Sequence, residues 1–96
     1  MATINFSGTL LGRNDVPRAG KTVTVTVTKT DTSTETLIGE TNADGAYVTG
    51  DIELPAIHIA VKAKVEADAE YKAVEVLKEF DVPLSDSTLT LDMNVV

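Results

Sequence analysis

The chain has no cysteine and no tryptophan, one histidine, and only four other aromatic residues, Phe6, Tyr47, Tyr71 and Phe80, among its 96 positions. Without cysteine there is no disulfide, no thiolate metal site and no cysteine nucleophile, and the redox compartment is left open. With so few aromatics the core has to be aliphatic. Lys and Arg number eight against fifteen Asp and Glu, a net charge of −7. Phosphate backbones are repelled by such a balance, and with no basic stripe interleaved with aromatics no nucleic-acid partner is expected. No window approaches the roughly 18 apolar residues that a membrane span requires. The start, MATINFSGTL, lacks the basic and apolar regions of an export signal.

What is abundant is valine and threonine. At 43% hydrophobic and 24% charged residues the composition is that of a folded globular chain, and its length fits a single domain over residues 1–96. ATINFSGTLL puts Ile4, Phe6, Gly8 and Leu10 on one parity, the period of a half-buried strand. KTVTVTVTK alternates most cleanly, with Val23, Val25 and Val27 inward and Thr22, Thr24, Thr26 and Thr28 outward. ETLIGET is a third run that breaks at Asn42-Ala43-Asp44-Gly45, where Asp-Gly predicts a hairpin because glycine tolerates positive φ. AYVTGDIEL continues to Pro55, and IHIAVKAKV places Ile57, Ile59, Val61, Ala63 and Val65 on one face.

ADAEYKAVEVLKEFDVPL carries two periods. Ala69, Ala73, Val76, Leu77 and Phe80 share a helical face, while Val74, Val76, Phe80, Val82 and Leu84 alternate as in a strand, with Lys78 the exception. Its β surroundings favour the strand. STLTLDMNVV closes the chain with Leu89, Leu91, Met93 and Val95 on one side. Seven short runs separated by turns predict an all-β fold, a seven-stranded antiparallel β-sandwich.

The turn residues add a resemblance. Pro17, Ala19 and Gly20 precede the second strand, Thr41, Asp44, Gly45 and Tyr47 form a Thr-x-x-Asp-Gly-x-Tyr pattern, and Leu54, Pro55 and Ala56 a Leu-Pro-Ala step. In this order they resemble the prealbumin-like sandwiches, the carboxypeptidase regulatory-like and collagen-adhesin B-type domains, over nearly the whole chain. The resemblance implies a prealbumin-like or immunoglobulin-like fold and a non-catalytic stalk, spacer or adhesion role on prokaryotic surfaces; similar immunoglobulin-like sandwiches decorate phage particles. Two departures stand out. Some members crosslink a first-strand lysine to a last-strand asparagine; here Asn94 is present but the nearest lysine is Lys21, so no crosslink is expected. Ile57 also stands where the pattern has a glycine.

Candidate chemistry is sparse. Glu40, Asn42, Asp44 and Asp51, with Gly45 in sixth place, follow the oxygen spacing of a helix-flanked calcium loop. The flanks alternate as strands and the acids at the two ends are interchanged, so the stretch reads as a turn, with calcium as the alternative. Asp51 and Glu53 share a strand face but lack the cleft that acid–base pairs of glycosidases need. His58 has no cysteine or histidine with which to build a zinc site, and Ser7, Ser33, Ser85 and Ser87 lie in no nucleophile elbow. Asn5-Phe6-Ser7 is formally a glycosylation sequon, expected to be idle without an export signal. The threonine ladder is a solvated sheet face that could also serve as a flat ice- or sugar-binding surface, and at an edge it could pair with another subunit.

These readings give no enzyme, cofactor or metal. They give a structural or interaction subunit with protein partners, self-association included. Starting on a strand without an export signal favours a phage or virus decoration or accessory protein made in the host cytoplasm. The family resemblance favours a module of a prokaryotic cell-surface protein, and a calcium- or carbohydrate-binding module is the third possibility.

Overall fold

The computed structural model of the chain describes residues 1–94 and is all-β, with no α-helix among them. Val95, assigned above to the inward side of the last run, lies outside the described residues. The strands are β1 (Ala2–Leu11), β2 (Thr22–Thr28), β3 (Thr34–Glu40), β4 (Ala46–Val48), β5 (Ile52–Leu54), β6 (His58–Val65), β7 (Val74–Asp81), β8 (Ser87–Thr90) and β9 (Met93–Asn94). One sheet has the order β3-β2-β6-β7 and is antiparallel throughout. The other is organised around β1, where Ile4 pairs with Ile52 and Ser87 at once and Ser7 with Val48 and Thr90. β4 and β5 therefore share one edge of β1, and β8 lies on the opposite edge.

All seven runs form, but two are split, which makes nine strands rather than seven. AYVTGDIEL divides into β4 and β5, and the last run divides into β8 and β9. The second sheet is also mixed: β8 and β9 run parallel to β1. The connection after β7 crosses to this sheet and enters beside Ile4, near the end at which β1 itself begins, so both strands point the same way.

Each split has a side-chain cause. At the first, the Thr49 amide donates to the Phe6 carbonyl (2.8 Å) while Thr49 Oγ1 accepts the Phe6 amide (3.0 Å), so a hydroxyl replaces a ladder carbonyl. At the second, the Leu91 amide donates to the Ser7 carbonyl (2.7 Å) and Asp92 Oδ1 accepts the Thr9 amide (3.0 Å). Gly8 lies under this crossing, where a Cβ would stand 1.8 Å from the Leu91 carbonyl oxygen. The Tyr47 hydroxyl donates to that same oxygen at 2.5 Å. Burial, aided by the charge of Asp92, pushes the Tyr47 hydroxyl up to about 12, which keeps it a donor.

The Asp44-Gly45 turn joins the two sheets instead of forming a hairpin, since β3 pairs with β2 and β4 with β1. Its local chemistry is that of the expected turn: Gly45 has φ +75°, and Asn42 Oδ1 accepts the amides of Asp44 (2.9 Å) and Ala46 (3.1 Å). Thr41, buried, fixes the approach by donating its hydroxyl to the Arg18 carbonyl (2.6 Å) and accepting the Lys21 amide (2.8 Å).

Between the sheets lies one aliphatic core built from the alternating residues Ile4, Phe6 and Leu10, Val23, Val25 and Val27, and Ile59, Val61, Ala63 and Val65. Each fully buried aliphatic side chain contributes roughly 1.5–3 kcal/mol. Phe6 and Phe80 meet across the layers with ring centroids 6.3 Å apart. The segment of double periodicity resolves into two parts: residues 67–73 form a loop and the strand begins at Val74, so the helical face is not formed. Leu84, placed inward by alternation, is 90% exposed. Lys78 is the break in the pattern that the alternation showed, exposed with Nζ 5.3 Å from the Phe80 ring centre.

Candidate functional site

The four oxygen donors of the calcium-like spacing are not gathered around one point. Asn42 and Asp44 belong to the turn beside Leu10, whose amide donates to the Gly45 carbonyl at 2.7 Å. Asp51 lies near the other half of β1, where Asn5 Nδ2 donates to Asp51 Oδ1 at 3.3 Å. Five residues of β1 separate those anchor points, about 17 Å at a strand's rise, whereas a calcium ion needs its oxygens within about 2.6 Å. Glu40 ends β3, opposite Thr22 on the other sheet. Glu53, on β5, is exposed. Ser33 donates to Asp31, and Ser87 to the Ser85 carbonyl, both at turns. Lys21 is ion-paired to Asp68 Oδ2 at 2.9 Å.

His58 is half exposed at the start of β6, between two carboxylates of the neighbouring strand. Nε2 lies 2.8 Å from Glu79 Oε1 and Nδ1 2.8 Å from Asp81 Oδ1. Hydrogen bonding to Glu79 first and Asp81 second raises its pKa, because both contacts favour the imidazolium. The two carboxylates bind opposite nitrogens, so the trio does not converge on one point and works as a surface ion cluster.

A denser polar centre forms where the β1–β2 loop meets residues 66–73. Arg18 is 5% exposed, its Nη2 donates to Asp68 Oδ2 at 2.9 Å, and its guanidinium lies 4.2 Å from the centre of the Tyr71 ring. The Arg13 guanidinium lies 4.8 Å from the same ring, and Arg13 Nη2 donates to the Glu70 carbonyl at 2.9 Å. Tyr71 itself accepts the Arg13 amide on its hydroxyl (3.2 Å). A Cβ on Gly12 would stand 2.2 Å from that hydroxyl, so glycine is what lets the ring dock. Asp68 is the hub: Oδ2 takes Arg18 and Lys21, and Oδ1 takes the amides of Glu70 and Tyr71, each at 2.8 Å. Lys21, then those two amides, then Arg18 hold its carboxyl well below the usual carboxylate range.

No family model matches the chain, and none of the curated proteins does. Among solved structures the chain is similar to a leucine-rich repeat protein from Bacteroides thetaiotaomicron VPI-5482. The two share 19% identity at a TM-score of 0.50, and the match covers 98% of this chain and 14% of that one. At that identity the likeness concerns the fold alone: a two-sheet β domain of this kind is one part of a much longer bacterial protein.

Arg18, Asp68 and Tyr71 escaped the reading of the sequence because the contact spans 50 residues between Arg18 and Asp68 and leaves no periodic trace. The available signal was indirect. Tyr71 is one of four Phe and Tyr residues and stands in a polar stretch, where a scarce aromatic needs a partner.

Proposed function

We propose that this domain is a prealbumin-like or immunoglobulin-like sandwich that acts without catalysis, as a structural module presenting its sheet surface to protein partners in a larger assembly. Support for the kinship is that the turn residues it rests on are structural here: Gly20 has φ +70°, Thr41 and Tyr47 are buried, and Gly45 makes the corner between sheets. The observation that carries the role is the outer face of the β3-β2-β6-β7 sheet. Its rows run Ile38, Thr24, Lys64, Glu75 and Thr36, Thr26, Lys62, Leu77 in register. Ile38 and Leu77 stand 62% and 70% exposed at the two sides of a threonine-rich centre. Apolar anchors on a polar sheet face are what a protein interface needs.

Two settings fit this role: an accessory subunit of a phage or virus particle, and a stalk or adhesion module of a prokaryotic surface protein. In favour of the second is the recurrence of the fold as 14% of a longer bacterial chain. Affinity capture from the source organism with the wild type and with an Ile38→Asp/Leu77→Asp variant tests the role. Partners retained by the wild type and lost by a variant of unchanged circular dichroism are expected; a partner set indifferent to both substitutions would exclude this face. Flanking capsid or tail genes, or an upstream leader with repeats, separate the two settings.

A further inference from the structure

The ion cluster at the loop end contains an arginine whose donors are only partly used. Its backbone is pinned, with the Arg18 amide on the Leu10 carbonyl (3.1 Å) and the Arg18 carbonyl on the Thr41 hydroxyl (2.6 Å). Of the five guanidinium N–H groups, one on Nη2 serves Asp68, while Nε and Nη1 are buried without any hydrogen-bond partner. Leaving donors of a buried cation unmet is costly, and a site that does so is poised for a group able to meet them.

The surroundings identify that group. Two clefts of about 470 Å³ and 360 Å³ open beside the cluster and share Asp68, Glu70 and Tyr71 as walls. Arg13 and Lys72 line the first, Arg18 and Lys21 the second. Four of the chain's eight cations thus face two carboxylates, in a molecule whose net charge is −7. Asp68 already demonstrates the chemistry, since one carboxylate oxygen takes both Arg18 Nη2 and Lys21 Nζ. Nε–H and the Nη1–H groups lie on different sides of the guanidinium, and each forms a two-pronged fork for an oxyanion only together with Nη2, the nitrogen that Asp68 holds.

We propose that this end of the domain is a binding site for an oxyanion, a carboxylate or a phosphate group, with Arg18 at its base and Arg13, Lys21 and Lys72 around its mouth. The Tyr71 ring is its cover. The ring rests on Arg18 and is retained by Gly12, by the Arg13 amide and by the bond from Arg13 to the Glu70 carbonyl. The oxyanion reaches the guanidinium when the 66–73 loop lifts from that seat and takes Asp68 off Nη2, which opens both forks.

The test is an NMR titration of the full chain, following the Arg18 Nε–H and Tyr71 amide signals. Inorganic phosphate or acetate is added up to ~50 mM, with ionic strength held constant by chloride. Saturable shifts of both signals, absent with chloride alone, are expected. Phosphate acting alone would mark the ligand as a phosphate group, and acetate acting alone would mark it as a carboxylate such as a peptide side chain or terminus. A Lys72→Ala variant leaves Arg18 and the bonds that seat Tyr71 in place and is expected to bind about threefold more weakly. Arg18→Lys, if it folds, is expected to abolish saturation. Shifts that chloride reproduces, signals that stay still with both anions, or equal affinity in the Lys72→Ala variant would each overturn the site.

Discussion

The two sheets use the same residue type in opposite ways. In the four-stranded sheet Thr22, Thr24, Thr26 and Thr28 project outward from a ladder that is regular over all seven rungs with β3. In the sheet around β1, Thr49 is 5% exposed, and its hydroxyl has become part of the ladder by accepting the Phe6 amide. Asp92 does the same for Thr9. One sheet is therefore held by its backbone pattern, and the other by particular side chains at two breaks. Substitutions that respect shape but not hydrogen bonding should distinguish them.

The largest effect is expected at Gly8. A methyl group there meets the Leu91 carbonyl oxygen at 1.8 Å and its carbon at 2.6 Å, backbone atoms that cannot turn aside. Gly8→Ala should lose about 3 kcal/mol or more in urea denaturation. Gly50→Ala is the control beside the other break, where an added Cβ meets nothing within 4 Å, and should stay within about 0.5 kcal/mol. Equal midpoints for the two variants would show that the crossing over Gly8 is soft and that the comparison between sheets fails there.

Next in size is a matched pair of threonines. Thr49→Val keeps volume and removes the acceptor of the buried Phe6 amide, which should cost about 1–3 kcal/mol. Thr26→Val, half-buried on the outer face of β2, should change stability by no more than about 0.5 kcal/mol, because valine is at least as good a strand former. A Thr26 loss as large as that at Thr49 would mean the outer face is as constrained as the break.

The same contrast explains what the sequence made legible. Alternation identified the strand runs and nearly the whole core, because burial repeats every second residue in both sheets. It could not locate the splits, since a threonine hydroxyl or an aspartate replacing a backbone group has no period. The Asp44-Gly45 turn was recognisable as a turn because positive φ at Gly45 is a local need. Whether the next strand pairs with β3 or crosses to β1 involves long-range contacts such as that of the Tyr47 hydroxyl with the Leu91 carbonyl, which local chemistry does not encode. The calcium-like spacing of Glu40, Asn42, Asp44 and Asp51 does not gather these residues for the same reason: Asn42 and Asp44 lie beside one half of β1 and Asp51 beside the other. Arg18, Asp68 and Tyr71 were invisible because a contact between loops 50 residues apart has no period along the chain.

Between the sheets' loops, Asp68 gives an acid-dependent term. Its folded pKa is depressed, chiefly by Lys21 and the amides of Glu70 and Tyr71, so its contribution is fully present above the ordinary value of 3.8 and is lost as pH falls toward the lower folded value. Asp68→Asn should therefore flatten the stability profile below about pH 4, read from urea midpoints between acid and neutral pH. A profile as steep as that of the wild type would assign acid sensitivity to other carboxylates and weaken the view of Asp68 as the tie between the two loops.

The smallest effect belongs to His58, on the regular sheet, where an exposed ion cluster adds to a ladder that is complete without it. Its folded pKa is raised by Glu79 and Asp81, so the sign is opposite to that of Asp68: the contribution is present below the ordinary 6.5 and disappears as pH rises through the folded value. His58→Gln should be less stable than the wild type in mildly acidic buffer and indistinguishable from it in alkaline buffer, with the difference remaining small because solvent screens both carboxylates. Urea midpoints across that range decide the matter. A deficit that persists at alkaline pH would mean that packing of the imidazole, rather than its charge, is what β6 and β7 share at this edge.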